Sequence, residues 1–148
     1  MDERQFLLKT WDDTWDKSWW WPAFSVAFPD LTAAQAAWKP APQRHSIWQI
    51  LNHMILWRQV CVRRARGEKP SHDEIDRRNW EEPPDPTDAA WRDALARLER
   101  SHRQVHEALA DESLEIDHLR YLLMHDVHHL GQVTYIRALQ GLPPHKYR

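Results

Sequence analysis

Apolar residues return every three to four positions in four stretches of this chain, and each stretch reads as an amphipathic helix. The first, from about Asp2 to Trp21, places Leu8, Trp11, Trp15 and Trp19 along one stripe, with Pro22 near its end. The second opens at Ser46, capped by Ser46 or His45, and carries Ile47, Ile50, Leu51, Met54, Trp57 and Cys61 toward Gly67. The third begins around Thr87, after Pro83-Pro84-Asp85-Pro86, and aligns Trp91, Leu95, Leu98, Val105 and Leu109. The fourth starts between Ser113 and Asp117 and stops at Gly141-Leu142-Pro143-Pro144. Between the first two helices, Pro22, Pro29, Pro40 and Pro42 break the chain, and Leu31 to Trp38 reads as a short helical turn.

Linker lengths then constrain the topology. Only a few residues join the third and fourth helices, which makes them antiparallel neighbours. Residues 68–86 separate the second and third. A helix of ~20 residues is ~30 Å long, and a linker of that length can run back along it. A crossover leaving the second and third helices parallel is therefore feasible. The expected fold is all-α, one four-helix bundle spanning 1–148 as a single domain.

Composition narrows the function. A chain of 148 residues is the length of one domain, and its ten tryptophans supply large apolar surfaces for packing. The formal charge of −2 gives no support for nucleic-acid binding, which needs a clustered basic excess. A single cysteine, Cys61, excludes an internal disulfide and fits a reducing, cytoplasmic setting. The start, Met1-Asp2-Glu3-Arg4-Gln5, lacks the features of a signal peptide. No run approaches the ~18 uncharged apolar residues of a membrane span. Three glycines argue against a β-sandwich or a glycine-rich phosphate loop.

The stretch that carries chemistry is His125-Asp126-Val127-His128-His129, followed by Gly131-Gln132. On a helix, His125 and His129 lie one turn apart on one side, with Cβ atoms roughly 5–6 Å from each other. Two imidazole nitrogens so placed can close on a divalent ion, which prefers them at about 2.0–2.1 Å. Leu122, His125, His129, Gln132 and Ile136 share that helical face, and His53 takes the equivalent place among Ile50, Trp57 and Val60 on the second helix. Bundles build metal sites from facing helices in this manner. Three neutral imidazoles leave the ion's coordination incomplete, as in catalytic rather than closed structural sites. An isolated surface pair would simply titrate, but histidines on a buried face are costly unless something satisfies them.

Other residues compete for these roles. His102 and His106 are also four apart; His102 falls on the core stripe as a candidate orienting donor, and His106 leans toward the charged side. His128 points away from the ligand pair and is placed to orient a ligand or line a pocket, while His118 reads as a helix-terminal polar residue. Cys61 lies ~12 Å along the helix axis from His53, too far to share one ion, and reads as a buried structural thiol. Trp19, Trp20 and Trp21 cannot all point inward, so at least one faces a dimer partner, the pocket mouth or the following loop. Asp126 stands where the metallopeptidase motif His-Glu-x-x-His carries its glutamate base. Its shorter arm, and the lack of a recognisable third ligand downstream, argue against a peptidase. Asp126 and Gln132 read instead as residues that orient the ligands.

Ser46-Ile47-Trp48-Gln49-Ile50-Leu51-Asn52-His53 with Trp57, the connector Trp38-Lys39-Pro40, and His125 through Gln132 resemble the DinB/YfiT-like superfamily of small metal-binding bundles over nearly the whole chain. The resemblance implies an up-down-down-up bundle, frequently a homodimer, whose three metal ligands fall on His53, His125 and His129. A tyrosine often stands at the position of His128, a departure that bears on the pocket's chemistry. Relatives include S-transferases and isomerases that use mycothiol, bacillithiol or glutathione. For this chain they imply metal-dependent transfer of a low-molecular-weight thiol to a small electrophile. Zinc or nickel leads as the ion, with iron or manganese following. The open position would take the cofactor sulfur as thiolate, with residues 68–86 partly covering the mouth. A metal-dependent hydrolase would need the same ligands and no thiol, and a non-catalytic, dimeric metal-binding stress-response module would need no turnover.

Overall fold

In chain order the elements are α1 (Glu3–Asp16), α2 (Phe24–Ala27), α3 (Ala33–Ala37), α4 (Ile47–Ala65), α5 (His72–Arg78), α6 (Asp88–Ala110) and α7 (Leu122–Leu139). The structure, a computed structural model, describes residues 1–83 and 85–145, and no strand occurs among them. Pro84, within the proline-rich lead into the third long helix, lies outside the described residues.

Local chemistry sets the helix ends. Ser46 Oγ accepts from Gln49 N while Gln49 Oε1 accepts from Ser46 N, which starts α4 with a reciprocal cap. Gly67 (φ +84°) and Gly141 (φ +70°) supply the left-handed residue that stops α4 and α7. The amides of Glu68 and Leu142 close back on Arg63 O and Arg137 O.

Side-chain contacts give the directions. Trp48 packs on Trp91 near the starts of α4 and α6, and Arg58 reaches Leu98 and Ser101 farther along both. Those two helices are therefore parallel. Arg4 near the start of α1 donates to Leu109 O at the end of α6, so α1 runs against them. His53 and Arg58 of α4 meet His125 and Asp126 of α7. The start of α7 (Leu122) shares one core cluster with the end of α4 (Val62, Ala65), and Val133 shares the other with Ile47 and Leu51 at the start of α4. The order is up-down-down-up, with residues 66–87 making the crossover between α4 and α6.

Four expectations change. The first helix ends at Asp16 rather than Trp21: the chain turns at 17–22, and Ser18 Oγ takes the amide of Ala23. Trp20 in that turn is 89 % exposed, Trp19 is exposed, and Leu7 rather than Leu8 is buried beside Trp11. The fourth long helix starts at Leu122, not at 113–117, because Arg4 binds the carbonyls of Leu109, Asp111 and Leu114 and holds the linker in turns. With that longer linker α7 packs chiefly on α4 instead of α6. The crossover is not a plain loop. Ser71 caps α5, acidic residues open it, Arg77 and Arg78 close it, and Ile75 packs on Leu56 and Val60. The short α3, capped by Thr32, falls where a helical turn is expected. No helix among the described residues is long and apolar enough to cross a membrane.

His102 is a core residue. Its ring stacks on Trp11 (4.9 Å) and meets Trp15 at a tilt (4.8 Å, 34° between planes), and its Nδ1 has no hydrogen-bond partner. Burial, then the charge of Arg58, push its pKa down to about 3, with Asp126 opposing and His106 adding slightly. A histidine whose folded pKa is depressed stabilises the fold fully above the unfolded value and loses that contribution as the pH falls through the window between the two. His102→Phe should therefore flatten the fall in unfolding free energy from pH 6.5 toward pH 4, by up to about 1.4 kcal/mol per pH unit. Urea denaturation across that range measures it, and equal slopes for both proteins would refute the assignment.

Candidate metal centre

α4 contributes His53 and α7 contributes His125 and His129 from successive turns, so the antiparallel contact of the two helices brings three imidazoles together. One ligand-capable atom from each lies within 4.8 Å of the others. His53 and His129 are buried and His125 half-buried. Among the described residues no fourth histidine, cysteine or carboxylate joins the cluster.

Each ring is fixed through its other nitrogen. His53 Nδ1 donates to Asn79 Oδ1 (2.6 Å), His125 Nδ1 to Asp126 Oδ1 (2.9 Å) and His129 Nδ1 to Gln132 Oε1 (2.8 Å). With Nδ1 as the donor, the neutral ring keeps a lone pair on Nε2. Those lone pairs converge: His53 Nε2 and His125 Nε2 are 3.1 Å apart. Neither can donate to the other, so the pair repels unless a cation sits between them. Imidazole nitrogens bound tetrahedrally at about 2.0–2.1 Å lie ~3.3 Å apart, close to what is seen. The donor set thus fits a divalent transition ion, and imidazole suits zinc, nickel, iron and copper alike. Burial pushes the His53 pKa down to about 4 against the hydrogen bond it donates to Asn79, and burial lowers that of His129 too. Both are neutral at pH 7, the form that binds metal.

Behind His125 lies a buried charge pair. Asp126 Oδ2 accepts from Arg58 Nε at 2.6 Å, and both side chains are 0 % exposed. Burial alone would raise the Asp126 pKa, but the Arg58 guanidinium and the His125 hydrogen bond outweigh it and hold the carboxyl below its ordinary value. Arg58 also donates to Leu98 O and Ser101 Oγ and lies 5.0 Å from the rings of both Trp11 and Phe24.

The crossover closes over His53. Trp80 stacks on that ring (3.7 Å, 9° between planes) and carries His45 on its opposite face (3.9 Å, 4°). It does so from a left-handed backbone (φ +60°), unusual for a bulky residue and costing of order 1–3 kcal/mol. Gln49 donates to Trp80 O (2.9 Å) and Asn52 to Glu81 O (3.1 Å), which hold the turn. Asn79, Trp80 and Arg58 escaped the sequence reading. Arg58 was detectable, because it interrupts the apolar spacing Leu51, Met54, Val62 on a stripe that is otherwise buried. For Asn79 and Trp80 the only signal was a lone tryptophan in a charged linker.

The remaining expected residues are placed as follows. Gln132 is exposed at the rim and bonds His129 from there, whereas Asp126 takes the buried stripe with Leu122, His129 and Ile136. His128 is exposed, its Nε2 3.4 Å from Gln132 Nε2. His102 packs against Trp11 and Trp15, His106 pairs with Asp12 of α1, and His118 is exposed ahead of α7, so none of them joins the ligand cluster. Cys61 is half-buried rather than buried, and desolvation pushes its thiol up to about 11.

Comparison with known families matches residues 18–133 to the DinB superfamily, a span that covers well over half the chain and contains all three histidines. No curated protein and no solved structure matches the chain.

Two outcomes test the site. Replacing His53, His125 or His129 by alanine should abolish stoichiometric zinc or nickel binding in calorimetry, while Asn79→Ala, with all ligands kept, should weaken it ~10–100-fold. Asp126→Asn leaves Arg58 buried and unpaired, so it should destabilise the metal-free protein by about 3–5 kcal/mol in urea; Arg58→Met with Asp126→Leu should recover much of that loss.

Proposed function

The chain belongs to the DinB superfamily, and from its three converging imidazoles we propose that it is a metal-dependent enzyme, a transferase joining a low-molecular-weight thiol to a small electrophile. The observation that carries this reading is the convergence of one imidazole nitrogen each from His53, His125 and His129, with no fourth protein ligand among the described residues. A divalent ion held there supplies Lewis acidity, which favours thiolate over thiol near neutral pH.

The surrounding residues favour sulfur chemistry over hydrolysis. Hydrolysis by a water on the ion would use the same three ligands, and a carboxylate base beside that water would favour it. Asp126, the one carboxylate of the motif, is fully buried and committed to Arg58 and His125. A thiolate is already nucleophilic and needs no such base. Cys61 sits about two helical turns from His53 and burial pushes its thiol up to about 11, which favours a soluble cofactor as the source of sulfur. In the transfer the cofactor sulfur bonds to the electrophilic carbon, the leaving group departs with its electron pair, and the thiol proton passes to solvent. Asn79, Asp126 and Gln132 hold the ligand rings, and Trp80 covers one face of His53 against water. The ion is zinc or nickel and the active form a homodimer.

Metal-loaded protein should accelerate conjugation of 1-chloro-2,4-dinitrobenzene or monochlorobimane with at least one of glutathione, bacillithiol or mycothiol. The rate should return to background with His125→Ala. Turnover of esters or amides without thiol would instead make the protein a hydrolase. Fully loaded protein inert in both assays would leave a metal-binding module without catalysis.

A further inference from the structure

Beside the histidine centre, an open cleft of about 800 Å³ runs between the turn preceding α4 and the outer side of α7. Small-molecule sites span ~300–1,000 Å³. Pro40, Ala41 and Ile50 form one wall, and Gly131, Tyr135 and Ile136 the other. Two lining residues join it to the metal centre: Gln132, which bonds His129, and His45, which stacks on the Trp80 cover. From His129 the cleft follows α7 toward Leu139, a climb of ~15 Å.

Gly131 has no role in the fold that accounts for it. It lies inside α7, where glycine weakens a helix, and a Cβ built there meets nothing within 4 Å. No neighbouring residue requires its absence. The missing side chain instead leaves room in the wall of the cleft. Charge points to the occupant's chemistry: Arg44 is the one formally charged residue of the lining, no carboxylate lines it, and among the described residues its guanidinium enters no ion pair. The geometry points to this cleft as the binding site for an amphipathic anion, an elongated aryl or alkyl body bearing one anionic group paired with Arg44. The cleft, its glycine and its arginine are independent of the ion and of the proposed transferase.

Two dyes test it: 1-anilinonaphthalene-8-sulfonate, an amphipathic anion, and N-phenyl-1-naphthylamine, its neutral counterpart. Fluorescence titration of the full chain, with and without nickel, should show both binding the wild type. Gly131→Leu, a good helix former in open space, should weaken both at least tenfold. Arg44→Met should weaken the sulfonate dye about tenfold and leave the neutral dye within twofold. Wild-type affinities in both variants would overturn the assignment. So would a change of oligomeric state on Gly131→Leu in sedimentation, since the face would then be a contact between copies. Nickel absorption read on the same samples separates the two ideas: loss of ion binding with the dye pattern intact sinks the transferase and leaves the cleft standing.

Discussion

Arg58 and Asp126 place a full charge pair at 0 % exposure where two apolar clusters meet. A buried ion pair is a poor source of net stability, because desolving both groups consumes most of what their attraction returns. Its value here is specificity. Arg58, on α4, touches the backbone of Leu98 and the Ser101 hydroxyl on α6, Asp126 on α7, Trp11 on α1 and Phe24 on α2. A slip of α4 against α7 would leave both charges unpaired, and a slip of α1, α2 or α6 would strip the guanidinium of a ring or a hydrogen-bond acceptor. One guanidinium thus fixes the relative register of the bundle, and through Asp126 Oδ1 it fixes the orientation of the His125 ring.

That link couples the core to the chemistry. The His53–His125 approach of 3.1 Å depends on α4 and α7 being held close at one level, and the Arg58–Asp126 bond crosses the same interface one turn away. The ligand cluster is consequently preorganised by the fold, with every Nδ1 engaged by an oxygen from a different residue. Preorganisation places the cost of crowding three lone pairs on folding, so that ion binding relieves it instead of paying for reorganisation.

The crossover supplies what two helices cannot. A site between α4 and α7 alone would expose the flat face of His53. The segment after α5 covers it with Trp80 and holds its Nδ1 with Asn79, at the expense of a left-handed tryptophan. Gln49 serves twice, closing the cap of α4 and anchoring Trp80 O, so the start of the ligand-bearing helix and the cover over its ligand form one unit.

The four long helices, their glycine stops, the parallel crossover and the pair His125 and His129 with His53 across from them were all legible in the chain, because each is written as spacing along one element or as a terminal residue. Misjudged points were those set by distant partners. Arg4 holds residues 111–114 out of α7, the 17–22 turn removes Trp19 and Trp20 from α1, and Asp126 rather than Gln132 occupies the buried stripe. Periodicity states which face of a helix is buried and says nothing of axial level or rotation against a neighbour. The pairing of Arg58 with Asp126, the meeting of His53 Nε2 with His125 Nε2, and the arrival of Asn79 and Trp80 over the site were decided only when the whole core packed. Each requires groups remote in sequence to agree to within a few tenths of an ångström, which no pattern along a single segment encodes.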